Sequence, residues 1–486
     1  MSCERCRPGT EPKQSSSIPK IPTCIRGLDE ILHGGLPTGR TTIFNGKPGT
    51  GKSILALEFL YRGAIAGEPG IFVSFEERAE DIRLNAAGMG MDIEALEAAD
   101  KLKIIHAELP QDAFRAGDFD CKGLLAQIEG FARLMGAKRV VLDAIDVLMW
   151  AFADPVRERE EIYFIHNTLR DLGMTTVLTA KLGQDGERNY PFLDFMVDCV
   201  LHLDQRMSGQ VRTRRLNVLK YRGSDFMANE HPYLFSHDGI VLMPVSSAQL
   251  IQPPIGKRVS SGVDQIDAIL GGGYKQGTCI LVAGPSGSGK TSLACTFAHA
   301  ACNREEKVLY VDYEVSRETL LDGMQSIGLK LESAERENWL RIVTAMPESD
   351  GVEGHLLRIL NHIAEFNPQH LVLDAISASR RMGSERAAFD FLMRLMTECK
   401  KRGITCFYLN QTTGTELISE LSGIGLSSLV DTILALDYFL ADESLCRRLL
   451  VVKSRGSAHS HQYHYMSITN DGIILMPQAA KPVEAS

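Results

Sequence analysis

No run in this sequence is apolar for long enough to cross a bilayer, and Met1 to Lys20 lacks the apolar core of a secretory signal. A cytoplasmic protein with no membrane partner is therefore expected. Surplus positive charge is also missing. The formal net charge is -9, whereas a protein that coats nucleic acid needs excess Lys and Arg to neutralise phosphates, so DNA or RNA is not an expected partner. Cys3-x-x-Cys6 has no second C-x-x-C to complete a tetrahedral zinc site, and residues 1–17, rich in Ser, Pro and charge, read as a disordered tail. His459-x-His461-x-x-His464 lacks acidic or cysteine companions at ligand spacing and reads as a polar strand surface. In a reducing compartment the eleven cysteines are expected as core thiols and not as a disulfide framework.

What the chain does have is a phosphate-binding loop, present twice. Gly46-Lys47-Pro48-Gly49-Thr50-Gly51-Lys52-Ser53 and Gly284-Pro285-Ser286-Gly287-Ser288-Gly289-Lys290-Thr291 both fit G-x-x-x-x-G-K-[ST] in full. In such a loop the glycines let successive N–H groups turn towards a triphosphate, the lysine neutralises the β and γ oxygens, and the hydroxyl that follows holds Mg²⁺. Candidate ATP-binding residues are thus Gly49 to Ser53 and Ser286 to Thr291. Thr41–Asn45 and Thr278–Ala283 read as buried strands entering the loops, and Ile54–Leu60 and Leu293–Ala301 as helices leaving them.

The repeat extends beyond the loops. Gly27-Leu28-Asp29 recurs as Gly262-Val263-Asp264, Lys220-Tyr221-Arg222-Gly223 as Lys453-Ser454-Arg455-Gly456, and Asp238-Gly239-Ile240 as Asp471-Gly472-Ile473. A spacing of about 230–240 residues marks a whole-domain duplication, not a solenoid. The expected organisation is a tail over 1–17, a first domain over 18–244, a linker over 245–257, a second domain over 258–477 and a short tail over 478–486.

Hydrolysis of a bound nucleotide needs a carboxylate to organise Mg²⁺ and another to orient the attacking water. Arg139-Val140-Val141-Leu142-Asp143 and His370-Leu371-Val372-Leu373-Asp374 each end an apolar strand on an aspartate, which makes Asp143 and Asp374 candidate metal groups beside Ser53 and Thr291. Ile71 to Glu77 and Val308 to Glu314 place carboxylates at the end of the strand after the P-loop helix, where a parallel sheet brings them to the phosphate site. Glu76 and Glu314 are the candidate bases. Glu77 is a further candidate whose match in the second half is Val315.

Tandem P-loop domains, Phe75-Glu76-Glu77, the entry His33 to Arg40 and a K-x-R-G near each domain's end together resemble the KaiC family over essentially Ile21 to Pro477. The resemblance implies two tandem RecA-like α/β domains, each a mainly parallel sheet flanked by helices, in a homohexamer that hydrolyses ATP and acts as a Ser/Thr autokinase in timing. It implies that Lys220 and Arg222, and Lys453 and Arg455, reach a neighbour's nucleotide as an arginine finger does. Ser427 and Ser428 match the family's two phosphate-accepting positions, and the first half has no hydroxyl from Asp194 to Val200. The stretch Ala116 to Asp120 resembles a loop where KaiB docks, while the short tail after Pro477 speaks against a KaiA-type activator. A DNA-dependent RecA or RadA motor and a nucleotide-gated scaffold are the alternatives, and the acidic balance counts against the first.

Overall fold

A computed structural model describes residues 18–107, 121–150, 152, 154–181, 191–208, 211–244, 257–412, 425–441 and 444–476. The chain divides into two compact units, the first taking residues 1–206 and 212–247 and the second 207–211 and 248–486. The tail over 1–17 with Cys3 and Cys6, the 116–120 stretch, the linker apart from Lys257, and the 478–486 tail lie outside the described residues.

In the first unit β1 (Lys20–Ile21) pairs antiparallel with β2 (Leu36–Pro37). The main sheet takes β3 (Thr41–Gly46), β4 (Gly70–Ser74), β5 (Leu102–His106), β6 (Arg139–Asp143), β7 (Thr175–Lys181), β8 (Cys199–Ser208), β9 (Val211–Tyr221), β10 (His231–Ser236) and β11 (Gly239–Leu242). Its order is β5-β4-β6-β7-β3-β8-β9-β10-β11. The run from β5 to β8 is parallel throughout. The second unit pairs β12 (Arg258–Val259) with β13 (Tyr274–Lys275). Its sheet takes β14 (Cys279–Gly284), β15 (Val308–Asp312), β16 (Leu340–Thr344), β17 (His370–Asp374), β18 (Thr405–Gln411), β19 (Thr432–Ala441), β20 (Ser444–Ser454), β21 (His464–Thr469) and β22 (Gly472–Met476). The order β16-β15-β17-β18-β14-β19-β20-β21-β22 repeats the first strand for strand.

Both sheets are parallel in the middle because their central strands are apolar on both faces and helices cover each face. Side chains alternate across a strand. Phe44, Phe72 and Val141 accordingly join one core, against Leu55, Phe59 and Leu60 of the helix Lys52–Ile65. Ile43, Ile71, Val73, Val140 and Leu142 join the other, against Leu125, Ile128, Ile162 and Leu169. Burying each of these side chains contributes roughly 1.5–3 kcal/mol, so the sheet's register is fixed from both sides. The outer strands β9 to β11 pair antiparallel, and β9 alternates half-exposed with buried positions near its end, as a sheet margin does. Of the nine described cysteines seven are buried, as expected of core thiols, but Cys24 is exposed and Cys446 half-buried.

Parallel central strands deliver their C-terminal ends to one edge, and the loops that follow carry the sequence motifs. β3 runs into the P-loop, β4 into Glu76 and Glu77, and β6 into Asp143. The equivalent strands β14, β15 and β17 do the same for Lys290, Glu314 and Asp374.

Candidate functional site

Each P-loop ends on a glycine that only glycine suits. Gly51 caps the helix Lys52–Ile65 at φ 90°, and a Cβ there would stand 2.3 Å from a Phe235 ring carbon. Gly289 does the same for Lys290–Asn303 at φ 99°. The turn this permits points helix N–H groups outward, an arrangement suited to anions. Lys52 Nζ donates to the carbonyls of Gly46 (2.8 Å) and Lys47 (3.1 Å), and Lys290 Nζ to those of Gly284 (3.0 Å) and Pro285 (2.9 Å). Burial lowers the pKa of both ammonium groups. Asp146 and Asp143 oppose that shift at Lys52, and Asp374 and Glu314 oppose it at Lys290.

The hydroxyl after each lysine meets the strand-end aspartate. Ser53 Oγ donates to Asp143 Oδ1 at 2.9 Å, and Thr291 Oγ1 donates to Asp374 Oδ2 at 2.8 Å. Both carboxylates are buried, and that burial raises their pKa. Each takes a further hydroxyl, from Thr179 in the first half and from Tyr310 (2.9 Å) in the second. A hydroxyl and a carboxylate from two elements form an all-oxygen donor set of the kind that suits Mg²⁺.

The remaining carboxylates are arranged differently in the two halves. Glu77 lines a cleft of about 440 Å³ with Lys52, Ser53, Asp143, Leu57 and Met89; Glu76 is exposed beside it and is not among the lining residues. Ser74 holds this turn, accepting from Glu77 N–H (3.0 Å) and donating to Glu77 O (2.7 Å). In the second half Asp312 replaces Ser74. It is 1% exposed, and its Oδ1 accepts from the N–H groups of Glu314 (2.7 Å) and Val315 (2.9 Å). Burial pushes the Asp312 carboxyl up to about 6, with Asp374 and Glu314 adding to the shift. The first half has its own extra acid, buried Asp146, which accepts from Lys181 N–H at 3.1 Å.

Lys220 and Arg222 lie against their own chain. Lys220 Nζ donates to the carbonyls of Asp194 (2.5 Å) and Val197 (2.7 Å), and Arg222 donates to Phe195 O (2.6 Å). Lys453 Nζ donates to those of Ser427 (3.0 Å) and Val430 (2.8 Å), and Arg455 to Ser428 O. The candidate acceptor serines therefore sit on a backbone segment gripped by the candidate finger residues. His459 and His461 place their rings 4.5 Å apart, but among the described residues no group of three or more His, Cys, Asp or Glu is arranged to hold a metal ion.

A family model described as the KaiC ATPase matches residues 21–247 and again 259–480. The chain belongs to the KaiC family. It is 36% identical over 471 residues to circadian clock protein KaiC2 of Synechocystis sp., covering 96% of this chain and 83% of that one. It is also 36% identical to the circadian clock oscillator proteins KaiC of Parathermosynechococcus lividus and Thermostichus vulcanus, over 94% and 95% of this chain and 85% and 89% of theirs. KaiC membership makes this a tandem ATPase-family chain whose relatives are named for the circadian clock. Among the described residues no helix is long and apolar enough to cross a membrane.

Reading the motifs alone missed Asp312, Asp146, Thr179 and Tyr310. Thr179 and Tyr310 meet the aspartates through strand register, which no local pattern displays. Asp312 had a visible signal, an acid within the apolar run Val308–Asp312 where the other copy has Ser74.

Proposed function

We propose that both halves bind Mg-ATP, that the first hydrolyses it, and that the second transfers its γ-phosphoryl group to Ser427 or Ser428 within a homohexamer. The observation that carries this reading is the repeated pairing of Ser53 with Asp143 and Thr291 with Asp374 beside Lys52 and Lys290. These four oxygen-bearing residues would hold Mg²⁺, which when bound neutralises charge on the β and γ oxygens. Gly49 to Gly51 and Ser286 to Gly289 cradle the phosphates through backbone N–H groups.

In the first half a water attacks the γ-phosphorus in line, the bond to the β-bridging oxygen breaks, and the water's proton goes to Glu77 or Glu76. The presence of Glu77 in the cleft lining beside Asp143 supports its share of that role. In the second half the Ser428 or Ser427 oxygen takes the water's part, ADP leaves, and the hydroxyl proton passes to Glu314. Lys220, Arg222, Lys453 and Arg455 serve a neighbour's nucleotide after releasing carbonyls of their own chain. That requirement makes the assembled ring the working unit. A KaiB-like partner at the first domain belongs to the same timing role, in the cytoplasm.

Intact mass and phosphopeptide mapping after incubation with Mg-ATP, together with native mass, test the reading. A hexamer gaining one or two phosphates per subunit, at Ser427 and Ser428, is expected. An ATP-hydrolysing hexamer with neither serine modified would leave the ATPase and remove the kinase.

A further inference from the structure

The two halves each carry two acids in the strand and turn after the P-loop helix, but at different places. In the first half they are Glu76 and Glu77, both exposed; in the second they are Asp312, which is buried, and Glu314, which is exposed. Sheet register makes Ser74 and Asp312 equivalent, because Ser74 pairs with Asp143 and Asp312 with Asp374. One carboxylate has in effect moved from the turn into the sheet.

That placement is unfavourable for stability. Asp312 Oδ1 takes two backbone N–H groups, but Oδ2 has no hydrogen-bond partner, and Asp374 and Glu314 add repulsion. A buried carboxylate so served costs more than a hydroxyl, and Ser74 shows that a hydroxyl suffices to hold such a turn. The bonds that Asp312 makes fall on Glu314 itself. Tyr313, between them, donates its N–H to Asp374 O at 2.7 Å and packs its ring edge-on against His355 at 5.2 Å. The backbone from Asp312 to Val315 is thereby tied to the aspartate-bearing strand β17 at one point and to Asp312 Oδ1 at two.

We propose that Asp312 is a positioning residue of the second site, fixing the turn that presents Glu314 while keeping Oδ2 as an additional acceptor beside Asp374. This inference rests on Glu314 being the second site's base. Without a second glutamate at the Val315 position, the site depends on one carboxylate, and its aim is set by Asp312.

The test uses the full chain with Lys52→Ala to silence the first loop, and compares Asp312→Ala, Asp312→Ser, Asp312→Asn and Glu314→Gln. Turnover is read beside the dissociation constant of a fluorescent ATP analogue and the melting temperature. Asp312→Ala should lower turnover roughly 10- to 100-fold, the scale expected of a misaimed group, with nucleotide affinity within about threefold of the parent. Asp312→Asn keeps an oxygen for both N–H groups and should restore most of the turnover, and Asp312→Ser should fall between. Parental turnover in Asp312→Ala while Glu314→Gln is inactive overturns the inference alone. Full turnover in Glu314→Gln overturns the reading of the base, and the positioning role with it. Equal losses of affinity, turnover and melting temperature in all three Asp312 variants would make the residue merely structural and also overturn the proposal.

Discussion

The two halves share their phosphate machinery bond for bond and differ in what surrounds it. Lysine, hydroxyl and strand-end aspartate make the same contacts at 2.8–3.1 Å in both. Around them, the aspartate's second hydroxyl comes from Thr179 on β7 in one half and from Tyr310 on β15 in the other, and Ser74 is exchanged for Asp312 and Glu77 for Val315. Even the buried base of the aspartate-bearing strand differs. Arg139 is 1% exposed and donates to Glu68 (2.9 Å), Phe59 O (2.9 Å) and Pro22 O (3.0 Å), whereas His370 in the same place pairs with Glu306 at 2.9 Å. A duplicated fold thus keeps the lysine, hydroxyl and aspartate contacts of its phosphate loop and varies the groups around them.

The largest expected effect sharpens the division of labour. Glu76→Gln with Glu77→Gln should lower first-half turnover about 10²- to 10⁴-fold, the range for losing a general base, and leave phosphate labelling of the second half in place. Glu314→Gln should do the converse. Steady-state phosphate release measured beside serine labelling distinguishes them, and equal loss of both signals in both variants would mean that the halves do not work separately.

Removing Arg139 and His370 in turn tests whether the halves are equally sensitive beneath the sheet. Arg139→Ala leaves Glu68 and two carbonyls without their donor and should destabilise the first unit by about 3–5 kcal/mol. His370→Ala removes one bond and an edge-on contact with Phe297, and about 1–3 kcal/mol is expected. Calorimetry on each variant reads the difference, and the reverse ranking would break the comparison.

The smallest effect is one of pH. The hydrogen bond from His370, with help from Arg304, holds the Glu306 carboxyl down to about 2. A depressed carboxylate stabilises the fold above its unfolded pKa of about 4.5, and that contribution is lost as pH falls towards 2. Because Glu306 is partly exposed, about 1 kcal/mol is a reasonable scale. Glu306→Gln should flatten the acid limb of the second unit's stability between those pH values, and an unchanged slope would remove the pair from the account.

Much of this was legible in the sequence because its signals are local. The P-loops, the apolar strands that end on Asp143 and Asp374, and the helices that start at Lys52 and Lys290 all announce themselves within a few residues, and the observed elements differ from the expected ones by only a few positions at their ends. Contacts across strands were not legible. That Tyr310 reaches Asp374, or that Asp312 lies in register with it, depends on β15 and β17 being neighbours although some sixty residues apart in sequence. The burial of Asp312 was hidden for another reason: a carboxylate at a strand end is usually solvated, and nothing in the sequence around it shows that this one is 1% exposed.

The grip of each K-x-R pair on the chain that precedes β8 or β19 falls mostly on main-chain oxygens, with Arg222 also 4.0 Å from Asp198 Oδ1 and Arg455 3.9 Å from Asp431 Oδ1. Lys220 and Arg222 hold the carbonyls of Asp194 and Phe195, as Lys453 and Arg455 hold those of Ser427 and Ser428. Carbonyl recognition is indifferent to the side chain attached, and Phe195 is 75% exposed, with little packing to lose. The carbonyl bonds are in this respect independent of sequence: a hydroxyl written into the first half at Phe195 would leave the carbonyl bonds from Lys220 and Arg222 in place. A chain built this way can change the side chains it presents at this segment while the lysine, hydroxyl and aspartate of its nucleotide pocket stay as they are.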